Sequence, residues 1–585
     1  MTNWSTILHI LLLFSSTSES YKCSVIHLRR QIQTSTQSHD RQNFTSVLHL
    51  SSLHLSIAAC LETNPLSSLS LTTKHLQQSL TMSKYVMHAC STTNSNEKVT
   101  SVTGYLLRSA TILYANALSA NEQSLQARQY FRLLLRLWSN HLVIDNTPLH
   151  LGLANVELHI CTAASYPISL CNISAISYHS RQSMLSFHPT SYDAKKNELA
   201  APVDEDVDLD GKMQWDPIFT RTSVGNRIRT HIEQVQQKIY HDIQQIQYLL
   251  RFRSSIQLST SSRSNLYKVL QCYKRFNTIL QSIIDDNKTN RNANQVVTNP
   301  SNNLAWETVD RILNKKCSSE DQQTIQKSYA KVLHIPNLRT SASVLKSSVY
   351  VLNTRHTWMN SVLNSNLNIK HIEQNYMKNG VAIIDNILNP EILESLQSFA
   401  NEAMIFQDSR NGYIGAYAKN GLLFPTTTML ATVIGRTFPN IISRGDGSGG
   451  GLPLVQMWMY KYSTKDNWKQ KVKNSGIALH ADDAVINVNI WITKTEHDVE
   501  QSGGLLLYPN LHAEKKDSFE DFNTQSAFRL NVENEEVIQV YHKPNRCVIF
   551  DSKMYHQSDS DMMFGKKYEN SRINLTLLFG RRKSS

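Results

Sequence analysis

The chain has 585 residues, a formal net charge of +12 and a sequence pI near 9.1. A single hydrophobic core stops growing well below this length, so we expect several domains. Hydrophobic residues make up 41% and charged residues 18%, which fits a globular protein, and no apolar run after Ser20 is long enough to span a membrane. The basic charge permits acidic partners, but no zinc-finger spacing, glycine-rich RNA motif or basic helix indicates nucleic-acid binding.

The first segment, residues 1–20, contains the apolar run Ile7–Phe14 followed by small residues, but it has no Lys or Arg. This pattern fits a secretory signal peptide or an N-terminal core helix, and the sequence leaves the two open. The compartment, cytoplasm or secretory pathway, therefore stays open as well. The eight cysteines form no Cys-x-x-Cys pair, so we predict neither a zinc site nor a disulfide framework.

Residues 24–190 are predicted to form a helical, repeat-like domain. Within Gly104–Trp138, apolar residues recur with the spacing of two consecutive amphipathic helices. Two helices within about 35 residues resemble degenerate tetratricopeptide repeats, although the early Trp and the regular Ala positions of the consensus are missing. An irregular helical bundle is the alternative. In either case these helices could bind a partner protein or present a substrate.

The middle of the chain is predicted to connect this domain to the C-terminal part. Residues 191–217 are polar and acidic and indicate a linker, and residues 218–365 indicate a helical connecting region. In Asn226–Arg253, apolar residues at steps of three and four predict a long amphipathic helix that could coil or brace its neighbour. His241 and Asp242 lie on it, and we interpret them as the polar shoulder of a packing helix, not as a metal site.

Residues 366–585 carry the residues with clear chemical potential. His480 and Asp482 lie two apart, so on an extended strand both side chains leave the same face and can contact one ion. Two histidines and one carboxylate form the triad that holds non-haem Fe(II) and leaves open positions. A jelly roll brings distant strands side by side, so we place the third ligand at His556, which follows an apolar strand and turn.

Arg572 follows His556, at the start of an alternating apolar strand. A buried guanidinium forks onto a carboxylate through two parallel hydrogen bonds, which suits a dicarboxylate cosubstrate held beside the iron. The set His480, Asp482, His556 and Arg572, in this order, resembles the Fe(II)/2-oxoglutarate-dependent oxygenase family. The resemblance implies that the first three are the catalytic metal ligands and that the arginine binds 2-oxoglutarate.

The resemblance extends from about Tyr376 to the C-terminus and is most specific to tetratricopeptide-repeat-linked members of that superfamily. The segments that carry it are the expected opening strand Tyr376–Asp385, the helix start Asn389–Glu391, Asn411–Tyr417, Gln456–Tyr462, the strand Asn487–Thr493 and Asn545–Asp551. It implies an α+β multidomain chain, with the N-terminal α-helical region followed by a C-terminal double-stranded β-helix, or jelly roll.

Further contacts to the cosubstrate are expected from strand parity and from the resemblance. Asn489 and Trp491 share one strand face, and in phytanoyl-CoA hydroxylases a tryptophan at this place lies against the cosubstrate. Tyr460 and Tyr462 precede the metal motif, and each either assists the arginine or packs in the core. Asn574 stands where many relatives carry Ser or Thr, and its amide can still donate to a carboxylate.

The resemblance implies a hydroxylase that uses Fe(II), 2-oxoglutarate as cosubstrate, molecular oxygen and, as an optional reductant, ascorbate. Its substrate would be a protein, a peptide or a small molecule, which the sequence does not name. Two alternatives remain: a non-catalytic repeat scaffold with a ligand-binding jelly roll, and a cupin-like metalloenzyme without 2-oxoglutarate. The complete metal triad argues against the first, and Arg572 argues against the second.

Overall fold

The computed structural model describes the C-terminal part of the chain most fully. The described residues are 115, 124–138, 147–163, 165–173, 175–180, 228–251, 258, 260–289, 316–329, 331–336, 359–410, 412–442, 451–462, 477–493, 503–513, 535–559 and 567–580. The predicted N-terminal segment 1–20 and the acidic linker 191–217 lie outside them. Within the described ranges, no helix has the length and apolar character needed to cross a bilayer.

Helices dominate the first half of the described chain and also cover the C-terminal sheet. The α-helices are α1 Ser124–Trp138, α2 Thr147–Thr162, α3 Ile228–Arg251, α4 Thr260–Thr289, α5 Ser319–Ser328, α6 Met359–Val362, α7 Ile369–Asn379, α8 Pro390–Glu402 and α9 Pro425–Thr437. Short 3₁₀ turns lie at Ile168–Leu170, Ala418–Asn420 and Tyr568–Asn570.

Helices α1 and α2 pack through Ala127, Phe131 and Leu153, and Glu157 of α2 is fully buried beneath two arginines of α1. The second helix predicted within Gly104–Trp138 is thus confirmed, whereas its predecessor lies almost wholly outside the described residues. One helix pair does not establish a tetratricopeptide repeat, so that part of the prediction stays a prediction.

A disulfide joins Cys161 at the end of α2 to Cys171. The sequence indicated no disulfide framework, and it did not identify this single pair. The reason is that the turn after α2 folds the chain back, with Cα atoms 4.5 Å apart across a separation of ten residues. A spacing of ten residues carries no recognisable motif in the sequence.

Helix α3 braces the C-terminal domain, as its predicted length suggested. Its apolar face forms a core with α4 and α5, and that core also includes Met404 of the C-terminal domain. His241 and Asp242, interpreted as the polar shoulder of this helix, are buried, and the His241 ring packs against Phe406 and Tyr568. Periodicity identified the apolar face of the helix but not this second, polar interface.

Two antiparallel sheets form the C-terminal domain. The strands are β1 Val381–Ile384, β2 Asp408–Arg410, β3 Tyr413–Tyr417, β4 Leu454–Tyr462, β5 Ile486–Trp491, β6 Leu505–His512, β7 Ile538–Val540, β8 Cys547–Asp551, β9 Met554–Ser558 and β10 Ile573–Phe579. The larger sheet has seven strands in the order β1-β8-β5-β10-β4-β3-β2, and the smaller has three in the order β7-β6-β9. The chain therefore combines helices with antiparallel sheet, as expected.

Strands β5 and β10 lie in the middle of the larger sheet, and every residue of both is buried. Helices α8 and α9 cover one face of this sheet, and Phe399 and Leu430 pack there with Leu575. The other face carries polar side chains such as Asn489, which are buried although they are not apolar. This buried polar face is the one that holds the candidate site.

The start of the domain differs from the predicted opening strand Tyr376–Asp385. Residues up to Asn379 belong to α7, which ends at Gly380 with a positive φ of 68°, and only Val381–Ile384 is a strand. The left-handed conformation at Gly380 turns the chain sharply from helix to strand. The next predicted helix start is confirmed, because the Asn389 side chain accepts a hydrogen bond from the backbone N–H of Glu391.

Candidate metal centre and its cavity

The backbone brings His480, Asp482 and His556 together. The segment before β5 pairs with β9 through two hydrogen bonds, from His480 N to His556 O at 2.9 Å and from His556 N to His480 O at 2.8 Å. The N–H of Asp482 donates to Ser552 O at 3.0 Å. Main-chain pairing therefore fixes all three positions before any ion binds.

The ligand atoms of these three side chains all lie within 4.8 Å of one another. Asp482 Oδ1 is 3.8 Å from His480 Nε2, and Asp482 Oδ2 is 3.4 Å from His556 Nε2. Elsewhere in the described ranges, no group of three or more His, Cys, Asp or Glu side chains comes together in this way. The cluster offers the donors of a two-histidine, one-carboxylate metal centre.

Both imidazole rings are held in the tautomer that a metal ligand needs. His480 Nδ1 lies 2.8 Å from Ala478 O, and His556 Nδ1 lies 3.0 Å from Met554 O. A carbonyl oxygen only accepts, so each Nδ1 carries a proton, and in the neutral form of such a ring the lone pair on Nε2 is free to bind a metal. Burial, with a further contribution from His556, lowers the pKa of His480 to about 4, so this ring is neutral at pH 7.

A chain of buried side chains, here called the amide relay, supports Asp482. Asn487 Nδ2 donates to Asp482 Oδ2, and Asn489 Nδ2 donates to Asn487 Oδ1 at 2.8 Å. Asn489 Oδ1 in turn accepts from Asn574 Nδ2 at 2.8 Å and from Thr576 Oγ1 at 2.7 Å. Such outer contacts fix the orientation of a ligating carboxylate.

Arg572, just before β10, is a buried cation that keeps an unused donor. Its Nε donates to Gly503 O at 2.7 Å, and its Cζ lies 4.5 Å from the ring centre of Tyr462 and 5.7 Å from that of Trp491. Burial lowers the pKa of Arg572 and Tyr462 opposes this shift, but a guanidinium stays protonated in proteins. Within the described structure its Nη1 is buried and has no hydrogen-bond partner.

The metal cluster and Arg572 line one cavity. Every residue predicted for the site lies in its wall: His480, Asp482, His556, Arg572, Tyr460, Tyr462, Trp491, Asn489 and Asn574. Trp491 Nε1 and Asn574 Oδ1 are also buried there without partners among the described residues. The cavity therefore presents a cation and two neutral polar atoms that a bound molecule could satisfy.

The two tyrosines that the sequence left undecided have different neighbours. Tyr462 lies against Arg572, whereas Tyr460 contacts Trp458 and Tyr417. The expected donation from Asn574 is not available, because its Nδ2 already serves the amide relay and only its Oδ1 faces no partner. Trp491 Nε1 remains as an unused donor on this wall.

Some residues of the site were missed by the sequence reasoning. Trp458 and Thr576 line the cavity, and each lies two positions from a predicted residue on the same strand face, so strand parity could have identified both. His542 is also buried near the site, with its ring centre 5.5 Å from that of Trp491. Burial lowers its pKa well below the usual value, and it does not belong to the metal cluster.

No family model matches the sequence, and no curated protein matches it. Among solved structures, the non-heme alpha-ketoglutarate-dependent epimerase SnoN from nogalamycin biosynthesis is 14% identical, with 37% of this chain and 86% of that chain covered and a TM-score of 0.27. The carbocyclase SnoK of the same pathway, also alpha-ketoglutarate dependent, is 11% identical, with 37% and 85% covered and a TM-score of 0.26. The Fe(II)/alpha-ketoglutarate-dependent dioxygenase TqaL is 11% identical, with 37% and 87% covered and a TM-score of 0.22. At these TM-scores the similarity carries no weight for function, which has to come from the geometry of the site.

Proposed function

We propose that residues 366–585 form a jelly-roll dioxygenase that uses Fe(II) and 2-oxoglutarate to hydroxylate a protein, a peptide or a small molecule. His480, Asp482 and His556 would bind the iron, and Arg572 would bind a carboxylate of the cosubstrate. Two antiparallel sheets, with the cluster at the edge of the smaller one, support this fold. The preceding helical region would bind a partner protein or present the substrate.

The donor set fits Fe(II). Two imidazole Nε2 atoms and one carboxylate are the ligands of the facial triad, which leaves open positions for other molecules. The amide relay holds Asp482, and backbone carbonyls hold the two histidine rings, so the ligands are oriented without the ion.

One observation carries the proposal: the unpaired Nη1 of Arg572 in the same cavity as the cluster. A buried cation with an unmet donor is costly, whereas a carboxylate that accepts from it offsets that cost. A cupin-like metalloenzyme needs no such cation beside its metal, and a plain scaffold needs neither the cation nor the cluster. A dicarboxylate cosubstrate explains both features at once.

Bound Fe(II) and 2-oxoglutarate would supply the oxygen chemistry, with ascorbate as an optional reductant. In the balanced reaction one atom of O₂ enters a C–H bond of the substrate as hydroxyl, and the other enters 2-oxoglutarate, which leaves as succinate and carbon dioxide. The residues of the chain would orient and shield: Arg572 and Trp491 Nε1 donate to the cosubstrate, and Leu505 helps to exclude water. No side chain has to act as a general base.

The test is anaerobic reconstitution of the full chain with Fe(II), followed by titration with 2-oxoglutarate while the visible spectrum is recorded. We expect a weak charge-transfer band in the wild type, and a much higher 2-oxoglutarate requirement in Arg572→Ala with iron still bound. Arg275→Ala is the matched control. That arginine, on α4, is 59% exposed and pairs with Asp321 of α5, and neither residue lines the cavity. Bound iron without a band at any 2-oxoglutarate concentration would overturn the proposal.

A further inference from the structure

Strands β3 and β4 carry an aromatic wall, defined as Tyr413, Tyr417, Trp458 and Tyr460. The ring of Tyr460 is the centre: it lies 4.9 Å from Tyr413, 6.4 Å from Tyr417 and 6.0 Å from Trp458, measured between ring centres. Trp458 and Tyr460 line the metal cavity, so the wall continues the cavity surface. All four residues are partly exposed.

The pairing of the strands explains why the rings share one face. Tyr417 pairs with Trp458 and Gly415 pairs with Tyr460 across β3 and β4, while Trp458 also pairs with Thr576 of β10, which lines the cavity. A Cβ at Gly415 would lie 3.0 Å from Tyr460 Cε1. The absence of a side chain at Gly415 lets the Tyr460 ring lie close to the sheet between its two tyrosine neighbours.

A carboxylate is hydrogen-bonded to this wall. The Tyr417 hydroxyl donates to Asp408 Oδ2 at 2.9 Å, and the hydroxyl oxygens of Tyr417 and Tyr460 are 3.4 Å apart. Because the proton of Tyr417 is used by Asp408, the proton of Tyr460 is directed to the oxygen of Tyr417. Burial and the neighbouring tyrosines, with a further contribution from Asp408, raise the pKa of Tyr460 well above its usual value.

These features together favour positive charge. Ring faces carry the negative part of the aromatic quadrupole and attract ammonium or guanidinium groups, and the carboxyl group of Asp408 lies two hydrogen bonds from the cavity. The loaded cavity would not repel a cation, since the two charges of Fe(II) balance the two carboxylates of 2-oxoglutarate and Arg572 balances Asp482. An anionic substrate would instead meet Asp408 and the ring faces.

We propose that the aromatic wall binds an organic cation, the ammonium or guanidinium group of the substrate, and so holds a nearby C–H bond beside the metal centre. This inference rests on the proposed function for the oxidation step. Binding of the cation does not depend on the proposed function, because the aromatic wall is present in the protein whether or not iron is bound. The cation would be either a free small molecule or a basic side chain of a peptide.

The experiment compares cations with neutral molecules of the same shape. Choline is matched by 3,3-dimethylbutan-1-ol, and an Ala-Lys-Ala tripeptide is matched by the same tripeptide with norleucine. Binding to the full chain is measured by calorimetry, once without metal and once anaerobically with Fe(II) and 2-oxoglutarate. We expect at least one cation to bind about tenfold more tightly than its neutral match, and the pair that shows the difference identifies the free or peptide source.

Two variants locate the effect. Asp408→Asn and Trp458→Leu should each reduce the preference for the cation several-fold, whereas Tyr267→Leu, on a residue that is 57% exposed on α4, should leave it unchanged. Equal binding of cation and neutral match in both pairs would overturn the proposal. The charge-transfer band separates the two hypotheses: a missing band with a clear cation preference refutes only the oxygenase, and a normal band without the preference refutes only the wall.

Discussion

The interface between α3 and the C-terminal domain, and the metal cavity, both bury charged side chains, but they treat them differently. At the interface Lys238 forms an ion pair with Asp242, and the Lys461 amine donates to Asn401 Oδ1 at 2.7 Å over the ring of Tyr568. In the cavity Arg572 keeps a buried donor without a partner within the described residues. Both lysine amines at the interface thus have a hydrogen-bond partner, whereas the cavity leaves room for an anion beside Arg572.

Two neutral side chains at the interface also find hydrogen-bond partners, in both cases backbone carbonyl groups of the C-terminal domain. Gln237 Nε2 donates to Tyr413 O at 3.0 Å and Gln245 Nε2 donates to Ala403 O at 2.9 Å. His241 keeps an unpaired Nε2, but burial lowers its pKa to about 4, so the ring is neutral and the cost is small beside that of a charge. The regions therefore differ in how their buried cations are bound: the interface lysines have partners, whereas Arg572 keeps one donor, Nη1, without a partner among the described residues. The predictions below test this difference.

The largest effect is expected at the metal cluster. Removal of one imidazole leaves two ligands, so His480→Ala should raise the dissociation constant for Fe(II) by more than about 100-fold, which anaerobic equilibrium dialysis can measure. His371→Ala, on the exposed side of α7, is the matched control and should bind iron normally. Normal iron binding by His480→Ala would remove this residue from the site.

The interface should respond in stability and not in iron binding. Asp242→Ala leaves Lys238 buried without its partner, and both side chains are only 3% exposed, so the free energy of unfolding should fall by about 3–5 kcal/mol. Lys238→Met combined with Asp242→Leu removes both charges and should recover most of that loss. Denaturant unfolding measures the stability of both variants. A double variant no more stable than Asp242→Ala would show that the loss does not come from leaving the Lys238 charge without its partner.

The amide relay is expected to have an intermediate effect. Asn487→Leu removes the donor to Asp482 but no metal ligand, so the dissociation constant for Fe(II) should rise about 10–100-fold while the protein stays folded. Asn375→Leu, on an exposed position of α7, is the control. If Asn487→Leu binds iron as the wild type does, the relay has no influence on the orientation of the carboxylate.

The sequence predicted the residues of the cavity better than their surroundings. Ligand chemistry predicted the pairing of His480 with Asp482 from their spacing. The resemblance to the oxygenase family supplied the order of His556 and Arg572, and strand parity together with that resemblance placed Trp491 with them. The structure brings all of these residues to one cavity. Their roles as iron and cosubstrate ligands remain predictions.

What the sequence did not predict depends on contacts between distant segments. Periodicity marks the apolar face of α3, but it cannot show that the opposite face, with His241, meets Tyr568 more than 300 residues later. The pairing of Cys161 with Cys171 depends on a turn, and the extension of α7 to Asn379 depends on the left-handed conformation of Gly380. The aromatic wall likewise exists only because β3 and β4 pair in one register.

The smallest effect concerns Glu402, at the end of α8 beside the interface. Burial raises its pKa from the ordinary 4.5 to about 7. The folded state therefore holds this proton more tightly than the unfolded state, so the stability gained is complete below about pH 4.5 and is lost as the pH rises through about 7. Glu402→Gln should remove this slope, with a gain at pH 8 of about 1–2 kcal/mol relative to the wild type. Glu394→Gln, exposed on the same helix, is the control, and the comparison is made by denaturant unfolding between pH 4.5 and 8. A slope that persists unchanged in Glu402→Gln would mean that the titration of Glu402 does not contribute to it, and that the burial of this carboxyl group does not destabilise the folded state.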